Sequence, residues 1–164
     1  MRQAQHVQER RVAPARREIE ERYFTVKVGG EWFGMPVACV HTVFLVEALT
    51  RIPLAPPAIT GLVNLRGRIV TAICLRARLG MKPRPPGQLL AIGIEHRGEA
   101  LALVVDKAGD VLTLTDAGRI ETPRHMPPAR AALTESVRQL ENGLVCILDL
   151  AAVFDLNTHR AAAA

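Results

Sequence analysis

Residues 52–79 read IPLAPPAITGLVNLRGRIVTAICLRARL, and this stretch decides the fold. Pro53, Pro56 and Pro57 forbid a continuing helix and push the residues before them toward extended backbone. After a short apolar turn and Gly61, the pattern predicts a strand at 62–65, a corner at Arg66-Gly67, a second strand at 69–73 and a short helix through LRARL. No group here is equipped for catalysis. The stretch reads as a tight corner that holds Asn64 and Arg66 between two apolar strands, which points to a binding module.

The rest of the chain repeats this plan. Phe24, Val26 and Val28 alternate with polar neighbours, Gly29-Gly30 turns, and 32–37 returns. In the second half Leu90, Ile92 and Ile94 alternate, Gly98-Glu99 turns, and 101–105 returns. Residues 144–150 match 69–75 at a constant offset of 75, and short amphipathic helical turns follow at 76–79 and 151–154. Asn142-Gly143 is expected to form the second corner, since Asn-Gly is a strong hairpin signal. Asp149 can cap the second short helix through its carboxylate, whereas Cys74 at the matching place caps poorly.

The apolar run ACVHTVFL at 38–45 is expected to be a strand covered on both faces. Residues 81–87, MKPRPPG, are the clearest linker, and proline-rich 116–137 is expected to be irregular with a turn at 129–133. Short strands in two halves predict an all-β chain with few short helices, folded as two small β-barrels packed together. The expected division is a flexible arm at 1–21, a folded unit at 22–156 and a tail at 157–164. Its halves lie at about 22–80 and 88–156 and are free to exchange segments.

At 164 residues the chain can bury roughly 70% of its unfolded surface and needs no staple. Cys39, Cys74 and Cys146 sit singly in apolar runs, which suits buried thiols in a reducing compartment. The first thirty residues lack an apolar signal core, and no apolar run approaches the roughly 18 residues of a membrane span. A cytoplasmic protein is expected. The net charge of +5 is mostly arginine and is spread along the chain. It admits an acidic partner, and the alternative reading is a small β-barrel that binds nucleic acid. One Trp, one Tyr and four Phe leave few stacking platforms for that alternative.

Enzymatic readings find no footing. His6, His41, His96, His125 and His159 are far apart, and neither H-x-x-x-H nor C-x-x-C grouping supplies metal ligands. G-x-S-x-G and G-x-x-x-x-G-K-[ST] motifs are absent. Cys39 reads as a small core residue, His41 as a strand residue, and Asp106 and Asp110 as turn residues. The expectation is a protein without catalysis, metal or cofactor.

The ordered set TRIPLAPPAITGLVNLRGRIV at 50–70, GGEWFGMPVACV at 29–40, ALALVVDKAGDVLTL at 100–114 and GLVCILDLAAVF at 143–154 resembles the CheW family of chemotaxis adaptors. The resemblance covers about residues 22–156. It implies two SH3-like, five-stranded β-barrels around a shared hydrophobic core. It also implies a non-catalytic adaptor that couples methyl-accepting chemoreceptors to the regulatory domain of a CheA-type histidine kinase. Such an adaptor works in the cytoplasm, is recruited to membrane-anchored receptor arrays, and self-associates in their rings.

Carried over by position, the resemblance implies a receptor- and kinase-binding site at Val40, Thr42, Val43, Gly61, Asn64, Arg66 and Gly67. Leu90, Ala102 and Ala108 join it from the second barrel. Arg66 matches the family's functional arginine, whose fork of donors suits a carboxylate or carbonyl. The chain departs from the pattern at Thr42, where glutamate is common, at Thr71, where proline is usual, and at Cys74, where aspartate is usual.

Overall fold

The computed structural model describes residues 18–157. The arm read at 1–21 lies outside the described residues up to residue 17, and the tail lies outside them from residue 158. The first hairpin is β1 (Glu20–Val28) and β2 (Glu31–Pro36), and one 3-10 turn at Val37–Cys39 leads into β3 (Val40–Leu45). Then β4 (Ile59–Leu65) and β5 (Arg68–Cys74) run into α1 (Leu75–Arg78). Beyond the linker come β6 (Leu90–His96), β7 (Glu99–Val105), β8 (Lys107–Thr115) and β9 (Arg119–Ile120). The chain closes with α2 (Pro128–Ala131), β10 (Thr134–Leu140), β11 (Gly143–Leu148) and α3 (Leu150–Phe154).

These strands form two sheets, ordered β8-β1-β2-β11-β10-β9 and β3-β6-β7-β5-β4. The second has the five strands expected; the first has six, because the two-residue β9 adds to its edge. Each sheet takes one hairpin from each half of the sequence. The joins are the parallel pairs β11–β2 and β5–β7. Thr71 pairs with Leu101, and its counterpart Cys146 pairs with Phe33. The sequence repeat therefore extends to strand register.

Alternation along the central strands builds three apolar clusters. On β7, Leu103 and Val105 enter the core shared by the sheets, while Ala102 and Val104 fill the inside of the second sheet with Val63, Val70, Ala72 and Ala91. On β11, Cys146 and Leu148 enter the shared core, while Val145 and Ile147 pack with Tyr23 inside the first sheet. Strands buried on both faces read as unbroken apolar runs. The run at 38–45 is a different case. Its first two residues belong to the 3-10 turn at Val37–Cys39, and β3 is an edge strand with Val40, Thr42 and Phe44 half-buried but His41, Val43 and Leu45 exposed. Its apolar outer face misled the sequence reading.

Two other expectations are corrected. Residues 116–137 are less irregular than their prolines suggest, since they hold β9, α2 and the first half of β10. The second corner is Glu141-Asn142, because Leu140 pairs with Gly143, and neither corner residue has positive φ. Asp106 and Asp110 also differ from simple turn residues. The Asp106 carboxylate accepts from the Gly29 N–H at 2.7 Å and from the Arg76 guanidinium at 2.7–3.0 Å. Asp110 lies in β8, where its carbonyl accepts from the Thr25 hydroxyl.

The short helices meet through an arginine. Arg78 of α1 is 2% exposed and donates to the carbonyls of Ala152, Val153 and Asp155 at the end of α3. Those carbonyls have no partner within their own helix, so a buried cation there serves them and the helix dipole together. Asp149 caps α3 by accepting from the Ala152 N–H at 3.1 Å, while Cys74 makes no such bond at α1.

Candidate partner-binding site

The β4–β5 corner is a two-residue turn with φ of 51° at Arg66 and 81° at Gly67. Both angles suit the type I′ turn that matches strand twist. For Arg66 the left-handed backbone costs about 1–2 kcal/mol. Asn64 holds the turn by accepting from the Gly67 N–H at 2.8 Å. The turn therefore fixes the backbone from which Arg66 projects outward. Among the described residues its guanidinium has no hydrogen-bond or ion-pair partner.

Thr42, Asn64 and Arg66 line one open groove of about 550 Å³ between β3 and the corner, together with Phe44, Glu47 and Leu65. Gly67 completes the turn on its lip. Val43 points to the opposite, exposed face of β3, at 42% exposure. Val40 and Leu90 pack against the shared core. Ala102 is wholly buried, and Gly61 is buried against the Thr50 carbonyl, so neither residue has surface to offer a partner. Ala108 lies in the other sheet, opposite Val26. The structure thus gathers the corner residues and Thr42 in one groove and spreads the rest.

Sequence reasoning missed the two arginines that tie α1 to the rest of the fold. Arg76 ties α1 to Asp106, and burial raises the Asp106 pKa, but the Arg76 and Gly29 donors outweigh it and hold the carboxyl below its usual range. The offset of 75 carried a signal for Arg78, which occupies the place of the apolar, buried Val153. The thiol of Cys146 is pushed up by burial, which keeps it protonated and a poor nucleophile. Among the described residues no three His, Cys, Asp or Glu side chains gather where a metal could be held.

Comparisons with known proteins agree with this architecture. A family model described as CheW-like domain matches residues 22–157. The chain is 28% identical over 137 residues to a probable chemotaxis protein CheW of Rhizobium etli, covering 83% of this chain and 88% of that one. It is 28% identical over 143 residues to the chemotaxis protein CheW of Bacillus subtilis, covering 87% and 92%. The crystal structure of scaffolding protein TtCheW from Thermoanaerobacter tengcongensis superposes with a TM-score of 0.74 at 26% identity, covering 85% of this chain and 95% of that one. None of these likenesses supports the nucleic-acid alternative.

Proposed function

The chain belongs to the CheW-like domain family, and from that premise we propose that it bridges the cytoplasmic tips of methyl-accepting chemoreceptors to the regulatory domain of a CheA-type histidine kinase. It is a chemotaxis coupling scaffold, and its work is contact rather than chemistry. The observation that carries this reading is Arg66, held unpartnered on a strained turn at the lip of a groove. The turn geometry alone is scaffold, since Arg97-Gly98 at the β6–β7 corner has the same φ of 51° and 81°; the groove beside Arg66 is what sets this corner apart. Beside it, β3 keeps Val43 and Leu45 exposed at 42% and 52% on a free sheet edge. Apolar side chains on an open edge suit a protein partner.

No helix among the described residues is long and apolar enough to cross a membrane, so the proposed place at the receptor array is reached through the receptors. Thr42 carries no charge in this groove, so a partner that meets it needs no cationic group there, which favours a cognate receptor set. The test is co-sedimentation with a receptor cytoplasmic fragment and a CheA-type kinase, comparing wild type with Arg66→Ala. Wild type should enter the pellet and Arg66→Ala should not. A wild type that stays in the supernatant with both partners would remove the reading.

A further inference from the structure

A second recess lies on the other side of the same corner, at the open end of the five-stranded sheet. It has a volume of about 140 Å³, room for a single side chain. Its floor is apolar, formed by Leu65, Val70 and Ala100. Its rim is charged: Arg66 and Arg68 stand on one side, His41 and Glu95 on the other. Glu95 lies 3.6 Å from His41 on that rim. Arg68, like Arg66, is exposed and has no hydrogen-bond or ion-pair partner among the described residues. Two unpartnered guanidiniums thus line an apolar hole against a single carboxylate, which leaves its rim net positive.

We propose that this recess is a carboxylate-accepting subsite that receives a glutamate or aspartate side chain from an acidic segment of a partner protein. An apolar stem fits the floor, and a carboxylate head meets two arginine forks, whose planar donors suit it better than a lysine would. The matching corner of the second copy has Glu141 and Gly143 in place of Arg66 and Arg68. The charged recess is thus an addition to the shared scaffold. This inference rests on the coupling role above and extends it by naming the partner's chemistry and assigning Arg68 to recognition.

The experiment uses the full chain with the receptor fragment and kinase regulatory domain encoded alongside it, at low and high salt. Arg66→Gln/Arg68→Gln should lower affinity for one partner about tenfold or more and flatten its salt dependence. Arg68→Gln alone should lower it less, and Arg66→Lys/Arg68→Lys should recover only part. Both positions are exposed, and an unchanged melting temperature shows that the variants are folded. If wild type binds and the double glutamine variant binds equally well with the same salt slope, the subsite is wrong while the coupling role stands.

If wild type binds neither partner, the coupling role fails and a second readout decides the subsite. A capped hexaglutamate peptide and its hexaglutamine twin are titrated into the chain while the arginine Nε–Hε signals are followed by NMR. Shifts at Arg66 and Arg68 with the glutamate peptide alone support the subsite. No shift, or a tighter response to a DNA duplex, overturns it.

Discussion

The hairpin β4–β5 with α1 and the hairpin β10–β11 with α3 share one plan, and their differences separate scaffold from function. Both break register at the same step, between Ile59 and Gly61 in one and between Thr134 and Ser136 in the other. Both end in a helix of about one turn. Gly61 then stands against Ser136, Arg66 against Glu141, Cys74 against Asp149, Arg76 against Ala151 and Arg78 against Val153. The second copy follows the ordinary rules, with a good helix cap, an unstrained corner and an apolar helix face. The first departs from each of them and carries the unpartnered arginines. On the proposed coupling role, a shared scaffold is kept intact in one copy and adapted for contact in the other.

The largest test of this contrast is Arg78→Val, which gives α1 the residue of the other copy. It strips a buried donor from three carbonyls of α3 and should destabilise the fold by about 3 kcal/mol in urea denaturation. A loss under about 1 kcal/mol would mean that water can replace the arginine.

Next is Gly61→Ser. The serine of the other copy is buried without trouble, but at Gly61 a Cβ would stand 2.5 Å from the Thr50 carbonyl oxygen, on backbone with φ of 153°. A destabilisation of about 2 kcal/mol is expected. An unchanged denaturation midpoint would show that the segment at Thr50 yields easily.

Asp106→Asn follows, since only the first copy's helix has an arginine for Asp106 to hold. The native carboxyl is held below its ordinary value, so its contribution is complete above about pH 4 and fades as the pH falls through the lower native pKa. The variant should lose about 1 kcal/mol at neutral pH and show a shallower fall in melting temperature on acidification. Parallel acid profiles for the two proteins would count against this role.

The smallest change runs the other way. Cys74→Asp gives α1 the cap of α3 and should stabilise the chain by about 1 kcal/mol, read from the denaturation midpoint. A midpoint that holds still or falls would show that α1 has no use for a cap.

Much of this contrast was legible in the sequence because its signals are local. Arg66-Gly67 and the alternating residues around it announce a hairpin by turn chemistry and period two. The offset of 75 then located its counterpart to the residue. What could not be read was pairing across the molecule. Period two says which residues share a face but not which strand lies alongside, so the joins of β5 to β7 and β11 to β2 were invisible. For the same reason Arg68 and His41 became neighbours only once the strands were assembled. Val43 and Leu45 misled for a physical reason: in sequence, apolar residues on an exposed strand face look the same as apolar residues that are buried.

The exchange of hairpins also sets the order of events during synthesis. Phe33 leaves the ribosome with its antiparallel partner β1 but must wait for Cys146, about a hundred residues later, before its other edge is paired. At roughly 5–20 residues per second that delay is on the order of ten seconds. Neither sheet can be completed by the first half alone, and such long-range contacts slow folding further. The chain therefore folds late and as one unit, and its first hairpin spends its early life as an exposed, adhesive edge.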